Sequence, residues 1–298
     1  MTTRIIVLHY HTNPTWSCRE LLKAAEHRGI EAVYERIQSL DAMINDKGLD
    51  VSVRGSRVNA DAVIVRSLGA APSTEQLLKR VGVLEALRLT DRIVINKPIP
   101  MFFARDKWFS ILRLKTAGLP VPRTLITENP YTVMRFINEY KKAVVKPVIG
   151  SLGLGSTFVN DPDIGYQVSK TLLSFKQPIY IQEFIEKPGF DYRIFVVGDQ
   201  VVAAMKRVIT SGWKTNIAQG AKGVPLKEND DPEAYELALK AVKTLDLDYS
   251  GVDIIVDQDG KHYIIEANAS PLWKGLMEAT GVNPAIHIID YIIDKYKR

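Results

Sequence analysis

Two acidic side chains stand in the apolar segments on either side of Asp259-Gly260, where a β-hairpin would place core residues. Asp-Gly is a strong signal for a two-residue hairpin turn, because both central residues of that turn need positive φ. With this turn, Val256 pairs with Tyr263, and Asp253 lies directly opposite Glu266. Like charges roughly 5 Å apart on one face of a sheet are destabilising, so we expect a cation beside this pair.

Asn268 follows Glu266 by two residues and therefore points to the same face of the second strand. Two carboxylates and an amide oxygen suit Mg²⁺, because this ion prefers oxygen ligands and keeps several of its water molecules. The spacing predicts a metal site formed by Asp253, Glu266 and Asn268.

Two lysines and a glycine-rich turn precede this hairpin. Lys146 lies in the apolar segment AVVKPV, where an unpaired ammonium group is costly to bury, and Lys107 lies in a predicted helix. The turn GSLGLGS at 150–156 leads into a strand, STFVN, so it is neither a Rossmann nor a P-loop motif, both of which lead into a helix. Its backbone N–H groups could bind phosphate. A surface lysine and a plain flexible hairpin stay open as alternatives.

The composition is that of an ordinary soluble globular protein. The chain has 298 residues, 46% of them hydrophobic and 24% charged, which is enough for two or three domains. The net charge of +5 is spread without a long run of Lys or Arg, so no nucleic-acid partner is expected. The single cysteine, Cys18, excludes an intramolecular disulfide. The four-residue apolar run near the N-terminus is too short for a signal peptide, so we expect a cytoplasmic protein without a membrane partner.

Alternating strands and helices in residues 1–96 predict a small α/β domain with a parallel sheet. Its predicted strands are RIIVL, EAVY, DAVIVR and RIVIN. Its predicted helices begin with capping boxes at Ser17 with Glu20 and at Ser73 with Gln76, and a further helical stretch is expected near 38–46.

The remaining chain predicts two further units with mixed α+β character. Residues 97–182 contain a predicted helix from about 100 to 117, the two strands around the glycine-rich turn and further helices. Residues 183–298 contain long antiparallel strands, the hairpin and a terminal helix. The polar stretch 209–223 has no apolar period, which favours a mobile loop.

The ordered motifs resemble the ATP-grasp fold and, within it, the RimK-like carboxylate–amine ligases. They are RDKW around Lys107, VVKP around Lys146, IQEFIE at 181–186, DYRIFVVGDQVVAAMKR at 191–207, and GVD with IIEANASP in the hairpin. The resemblance covers roughly residues 97–298. It implies an N-terminal substrate domain (1–96) of the pre-ATP-grasp type, a central ATP-grasp subdomain (97–182) and a C-terminal subdomain with the metal site (183–298).

The resemblance implies an ATP site between the second and third units. The adenine would bond to the backbone around Glu183 and Phe184, and Asp191 would bind the ribose. The implied cofactor-binding residues are Lys107, Lys146, Gly153, Gly155, Gln182, Glu183, Phe184, Ile185 and Asp191. The implied catalytic residues near the transferring phosphoryl group are Arg193, Arg207, Lys214 and Asn216. Asp253, Glu266 and Asn268 match the family's ligands for two Mg²⁺ ions, with Mn²⁺ as the alternative.

Candidates for binding the acid substrate lie at the ends of two N-terminal strands, because ligands collect at the carboxyl ends of parallel strands. These candidates are His9, His11, Arg66 and Ser67. Trp273 and Lys274, which follow the metal-site asparagine, are further candidates. Ordinary capping and surface packing stay open as the alternative for the histidines.

The resemblance implies an ATP-dependent ligase in which an acid becomes an acyl phosphate and an amine then attacks it. The segments NASPLWKGLMEATG and WKTNIAQGAKG look closest to glutamate ligases that act on pterin or deazaflavin cofactors. We therefore expect addition of L-glutamate to a small cofactor such as tetrahydromethanopterin, with coenzyme F420 or a protein C-terminus as alternative acceptors. A non-catalytic ATP-binding regulatory module and a small-molecule kinase are the alternatives from other classes. A homo-oligomer is expected.

Overall fold

The computed structural model describes residues 4–150, 154–209 and 221–297. Its strands are β1 (Arg4–His9), β2 (Glu31–Arg36), β3 (Leu40–Asn45), β4 (Gly48–Val53), β5 (Ser56–Arg57), β6 (Ala62–Val65), β7 (Ile93–Ile95), β8 (Thr124–Thr127), β9 (Ala143–Lys146), β10 (Thr157–Val159), β11 (Ile179–Glu183), β12 (Phe190–Val197), β13 (Gln200–Val208), β14 (Lys222–Pro225), β15 (Tyr249–Val256) and β16 (His262–Asn268). Its α-helices are α1 (Trp16–His27), α2 (Thr74–Leu89), α3 (Pro98–Ala104), α4 (Lys107–Thr116), α5 (Pro130–Tyr140), α6 (Pro162–Ser174), α7 (Pro232–Thr244), α8 (Lys274–Thr280) and α9 (Pro284–Lys297). Among the described helices, none combines the length and apolarity that a membrane span requires.

The N-terminal strands form the predicted parallel sheet. Its order is β2-β1-β6-β7, and every neighbouring pair is parallel. The apolar run of β1 is buried, as expected for a parallel sheet with both faces covered. The capping box of α2 is present, with Ser73 and Gln76 bonded to each other's backbone. The capping box predicted at Ser17 is wrong, because the N-cap of α1 is Thr15, two residues earlier, and Ser17 is buried inside the first turn.

The helical stretch predicted near 38–46 is also wrong, because these residues enter a hairpin. Strands β3 and β4 pair antiparallel and join β5 in a three-stranded sheet. At the turn, the Asn45 side chain accepts a hydrogen bond from the Lys47 N–H at 2.8 Å, and Gly48 has a φ of 108°. An Asn turn followed by a glycine in this conformation reverses the chain more readily than it continues a helix.

The single helix predicted from about 100 to 117 is two helices, α3 and α4. The break lies at Asp106, whose carboxylate accepts a hydrogen bond from the Phe109 N–H at 3.0 Å and so caps α4. Lys107 is therefore the first residue of a new helix rather than a residue inside a long one.

The central strands form an antiparallel sheet in the order β10-β9-β11-β8. Strand β10 pairs with β9 across the glycine-rich turn, which confirms that a strand follows this turn. The sheet and helix α5 share a small apolar core of their own, which includes Val133, Ile137, Val145 and Ile181.

The C-terminal strands form an antiparallel sheet in the order β14-β13-β12-β15-β16. Its core is continuous with that of the N-terminal domain: Ile5 and Leu21 share one buried cluster with Phe195 and Ile288. Strand β14 begins at Lys222, so the end of the predicted loop 209–223 is a strand. Residues 210–220 of that loop lie outside the described residues.

The hairpin of β15 and β16 keeps the predicted acidic pair but reaches it by a different register. The turn has three residues between Asp257 and Lys261, with Gly260 at a φ of 83°, so Val256 pairs with His262. A bulge at Ile265 then shifts the register by one residue. The predicted two-residue turn is therefore wrong. The prediction that Asp253 lies opposite Glu266 is confirmed, because the longer turn and the bulge offset each other.

Asn96, at the end of β7, bonds the N-terminal domain to the C-terminal sheet. Its side-chain amide donates to the carbonyls of Tyr249 and Ala269 at 2.8 and 2.7 Å. Its side-chain oxygen accepts from the N–H groups of Asp248 and Tyr249 at 2.6 and 2.9 Å. All of the hydrogen-bonding capacity of this fully buried side chain is therefore used on β15 and on the residues that precede β15 and follow β16.

We expect Asn96→Ala to lower the free energy of unfolding by at least about 2 kcal/mol, because it leaves buried backbone groups without partners. Urea denaturation measures this loss. Asn138→Ala, at an exposed position of α5, is the matched control and should change the value by less than about 0.5 kcal/mol. Equal effects of the two variants would show that the Asn96 contacts do not stabilise the domain junction.

Candidate functional site

The predicted acidic pair lies on the C-terminal sheet among basic side chains of neighbouring strands. Arg193 on β12 is paired with Asp253 on β15, which is in turn paired with Glu266 on β16. On the other side of β12, Asp191 faces Arg207 on β13. Four adjacent strands therefore place two arginines and three carboxylates in one patch.

Asp253 is held by two guanidinium groups. Arg193 Nε lies 2.7 Å from Asp253 Oδ1, and Arg193 Nη2 donates to Oδ2 at 3.1 Å. Arg207 Nη2 lies 3.2 Å from Oδ1, and Arg207 Nε donates to Asp191 at 2.6 Å. Burial alone would lower the pKa of Arg207, but the two carboxylates raise it above its usual value. Burial raises the pKa of Asp253, and the two arginines oppose that rise.

Glu266 faces the first residue of α4. Lys107 Nζ lies 3.5 Å from Glu266 Oε1 and donates to the Gly150 carbonyl at 2.8 Å. The Lys107 N–H also donates to the Val148 carbonyl at 3.1 Å. Lys107 therefore connects the carboxylates of the C-terminal sheet to the segment that enters the glycine-rich turn.

Protein side chains therefore already supply the positive charge that the facing carboxylates require: Arg193 and Arg207 for Asp253, and Lys107 for Glu266. Repulsion between Asp253 and Glu266 therefore does not by itself require a bound metal ion. The metal site stays a prediction that depends on the donor atoms themselves.

Those donor atoms suit magnesium. Asp253 Oδ1 is buried and receives no well-aligned hydrogen bond from the described residues, although both arginines lie near it. The described chain contains no group of three or more His, Cys, Asp or Glu side chains placed to hold a metal ion. The predicted set has only two carboxylates and the Asn268 amide, so water and phosphate oxygens would complete an octahedral shell.

Lys146 projects from the end of β9 into a buried polar group of the central sheet. Its Nζ donates to Gln182 Oε1 at 2.6 Å, and the Gln182 amide donates to Thr124 and Tyr180 at 3.0 and 3.2 Å. Burial lowers the pKa of Lys146 to about 8, partly offset by the charge of Glu266. A half-buried ammonium group held by a neutral amide fits an anionic ligand. The side chain of Gln182 serves to position Lys146.

The segment after β11 uses part of its backbone in the fold. The Glu183 N–H donates to the Arg123 carbonyl at 2.9 Å, and the Phe184 N–H donates to the Lys142 carbonyl at 3.0 Å. The Glu183 carboxylate bonds Arg123 at 2.8 Å and is also occupied. The predicted base contact near Glu183 and Phe184 would therefore have to use other backbone groups, such as those of Ile185.

Among the glycines of the turn, Gly155 has a φ of 76°, and a Cβ there would lie 3.2 Å from Pro147 Cγ. A side chain at this position would be both strained and crowded. Gly153, Lys214 and Asn216 lie outside the described residues.

Lys187 is a further candidate residue of this site, and the sequence motifs did not reveal it. It is almost fully buried, and its Nζ lies 3.5 Å from Asp191 Oδ2, opposite the side that Arg207 contacts. Burial lowers the pKa of Lys187, against the charge of Asp191. Asp191 is thus held by two cations, and its contact with a ribose stays a prediction. A lysine next to a proline in a loop gives no periodic signal that would mark it as buried.

The predicted acid-substrate residues divide into buried and accessible groups. Arg66 is 3% exposed and Trp273 is 1% exposed, and the Arg66 guanidinium stacks 4.7 Å from the Trp273 ring. His9 and His11 stack on each other at 4.9 Å, at the end of β1. Ser67 accepts a hydrogen bond from the Gly69 N–H.

Lys274 is exposed on α8, and its Nζ lies 3.9 Å from Glu278 Oε1. The structure thus brings His9, His11 and Arg66 to one edge of the N-terminal sheet, whereas Lys274 is paired on the surface of α8.

Comparison with known proteins identifies relatives over most of the chain. Residues 104–292 match the model of the RimK-like ATP-grasp domain. The tetrahydromethanopterin:α-L-glutamate ligase of Methanosarcina acetivorans is 30% identical over 93% of this chain and 95% of its own length. The ligase of the same description from Methanocaldococcus jannaschii is 36% identical over 68% of this chain and 71% of its own length.

Among solved structures, the ATP-grasp ligase PsnB with its minimal precursor has a TM-score of 0.80 and 24% identity, and the match covers 99% of this chain and 100% of that one. A second structure of PsnB holds a variant precursor, Mg and ADP, with a TM-score of 0.75 at 24% identity and 99% coverage of both chains. These matches show that the fold is shared along nearly the whole chain.

Proposed function

Because the chain belongs to the RimK-like ATP-grasp family, we propose that it is an ATP- and Mg²⁺-dependent ligase that joins L-glutamate to a small acid cofactor such as tetrahydromethanopterin. The observation that carries this proposal is the meeting of Asp253, Glu266, Arg193 and Arg207 on the C-terminal sheet with Lys107 at the start of α4. The two relatives named tetrahydromethanopterin:α-L-glutamate ligase support the acceptor.

The proposed reaction has two steps. A carboxylate oxygen of the acid attacks the γ-phosphorus of ATP, and ADP leaves, which gives an acyl phosphate. The amino group of L-glutamate then attacks the acyl carbon, phosphate leaves, and the nitrogen loses a proton. Lys107 and Lys146 would hold the phosphates, and Arg193 and Arg207 would stabilise the charge on the phosphoryl group in transit.

Asp253, Glu266 and Asn268 would hold magnesium, which would neutralise phosphate charge while bound. Arg193 and Arg207 both contact Asp253, so they would share this carboxylate with a metal held there. Arg193 and Arg207 would also bind phosphate oxygens, for which the fixed fork of donors of Arg is well suited. We propose one or two Mg²⁺ ions at this site.

The low pKa of Lys146 gives a prediction about nucleotide binding. An ammonium with a pKa of about 8 is mostly charged at pH 7 and mostly neutral at pH 9. We therefore expect the affinity of the free protein for ADP to fall about tenfold between these pH values. Lys146→Arg, which stays charged, should abolish the pH dependence. Fluorescence titration with a labelled ADP measures both, and equal wild-type affinity at pH 7 and 9 would exclude Lys146 from the phosphate site.

The test of the proposed function is a product assay. The protein is incubated with ATP, Mg²⁺ and ¹³C-labelled L-glutamate. Tetrahydromethanopterin, coenzyme F420 and a peptide with a free C-terminus are added in separate reactions, and the molecular masses of the products are measured. The mass of tetrahydromethanopterin should rise by one or more glutamyl units, and phosphate release should require both the acid and the amine.

A phosphorylated acid that persists without the amine would instead identify a kinase, and nucleotide binding without turnover would identify a regulatory module. Hydroxylamine should trap the acyl phosphate as a hydroxamate. Absence of a hydroxamate with the true acid present would contradict the proposed intermediate.

A further inference from the structure

Three basic side chains stand next to one another at the carboxyl edge of the N-terminal sheet. His9 and Arg36 are register partners at the ends of β1 and β2. The Arg66 N–H donates to the Leu8 carbonyl at 2.8 Å, so Arg66 follows β6 directly beside His9. We call His9, Arg36 and Arg66 the basic row. Because partners in a parallel sheet share a face, these three side chains lie on the face that α1 covers.

The two arginines of this row have no acidic partner in the described part of the chain. Arg66 donates to the Tyr249 hydroxyl at 3.1 Å and to the Pro271 carbonyl at 2.7 Å, both of them neutral groups. The Nε atoms of Arg36 and Arg66 are buried and have no hydrogen-bond acceptor among the described residues. Glu35, adjacent in sequence, is paired with Arg54 at 3.1 Å. A buried guanidinium with an open donor is costly, and an anion would remove that cost.

Further unpaired donors lie on the loop that Arg66 contacts. Ser270 Oγ and Trp273 Nε1 are buried without hydrogen-bond partners among the described residues. His9 adds no charge, because burial, His11 and Arg66 together lower its pKa to about 4. The positive charge of the row is therefore that of its two arginines, to which the N-terminus of α1, at Trp16, adds its dipole.

The basic row adjoins the carboxylate patch through one residue. The Pro271 carbonyl accepts from Arg66, and a Cβ placed on Gly251 would lie 2.8 Å from Pro271 Cβ and 2.6 Å from Arg193 Nη1. Pro271 therefore lies between Arg66 on one side and the Arg193–Asp253 pair on the other. The basic row and the carboxylate patch are therefore separated by a single residue.

We infer that the basic row binds an anionic group of the acid substrate, a carboxylate or a phosphate, other than the carboxyl group that reacts. This inference rests on the proposed function and narrows the acid to compounds with at least two anionic groups. It also gives Arg36, which no motif marked, the role of a residue that determines specificity.

Three small acids that share a butyrate chain and differ in the group on C4 test the inference without ATP or metal. Glutarate has a second carboxylate, 4-phosphonobutyrate a phosphonate, and glutaramate a neutral amide. Calorimetry at low salt should show that one or both dianions bind at least tenfold more tightly than glutaramate, and the better of the two identifies the anionic group. Arg36→Gln should remove this preference and leave the affinity for glutaramate within twofold.

Arg54→Gln is the matched control, because it removes the same charge from a neighbouring but exposed site. This variant should keep the preference for the dianions. Equal loss in both arginine variants, or equal affinity of the wild-type protein for all three acids, would overturn the inference.

A second measurement uses the wild-type protein alone and does not depend on the folding of any variant. The imidazole resonances of His9 and His11 should shift when the preferred dianion binds, while those of His262 and His287 should not. Dianion binding without shifts at His9 and His11 would place the anion elsewhere and overturn the inference. Failure of the proposed function would appear separately, as absence of glutamate-dependent phosphate release.

Discussion

Replacing Glu266 by alanine is expected to reduce ATP-dependent amide formation at least about a hundredfold, because it removes one of two carboxylates that would fix the metal against the phosphates. The fold should tolerate the change. The Glu266 side chain is 27% exposed, and its partner Lys107 keeps the hydrogen bond to the Gly150 carbonyl. The free energy of unfolding should therefore change by less than about 1 kcal/mol.

Two measurements separate the metal role from a general loss of activity. The affinity for ADP should increase with Mg²⁺ in the wild-type protein and respond much less in Glu266→Ala. The control is Glu278→Ala, another exposed glutamate beside a lysine, which should leave both properties unchanged. Wild-type turnover by Glu266→Ala would show that the metal site had been assigned to the wrong residues.

Replacing Arg207 by methionine is expected to lower the free energy of unfolding by about 3 to 5 kcal/mol, because it leaves Asp191 and Asp253 buried with less compensating charge. Urea denaturation at pH 7 measures this effect. At pH 5 the loss should be smaller. The pKa of Asp253 is already raised by burial and should rise further in the variant, so protonation removes the uncompensated charge as the pH falls.

The control for Arg207 is a surface ion pair of the same chemistry. Arg57 lies 3.3 Å from Asp50, and its side chain is 76% exposed, so Arg57→Met should cost only about 0 to 1 kcal/mol. If the two variants unfolded at the same urea concentration, the ion pairs of Arg207 would contribute no more to stability than a solvated pair.

The sequence was sufficient for features that depend on local chemistry. The parallel N-terminal sheet follows from its short apolar runs, and the capping box at Ser73 follows from residue types three positions apart. The facing pair of Asp253 and Glu266 was predicted correctly, but the predicted turn was too short and the bulge that restores the register was not predicted. The turn chemistry of Gly260 was correct, but nothing in the apolar pattern marks a bulge at Ile265, since an extra isoleucine fits either face.

Features that depend on partners distant in sequence were not predictable in this way. The surroundings of Asp253 include arginines on two other strands, and only the sheet order brings them together. Arg36 ends a short strand as many surface arginines do, and its significance appears only when His9 and Arg66 are found beside it. The helix predicted near 38–46 was wrong, because the Asn45 turn favours a hairpin more strongly than the weak helical pattern favours a helix.

The continuous core between the N-terminal and C-terminal sheets determines which parts of the protein can move during a catalytic cycle. Together with Asn96 and the ion pair between Arg28 and Asp290, this core joins the N-terminal sheet to the C-terminal sheet. The central sheet has a separate core. We therefore expect the central sheet, which carries Lys146, to rotate relative to the other two sheets, which would hold the acid and the metal, and so to bring the phosphates to the acid and to open again for release of ADP.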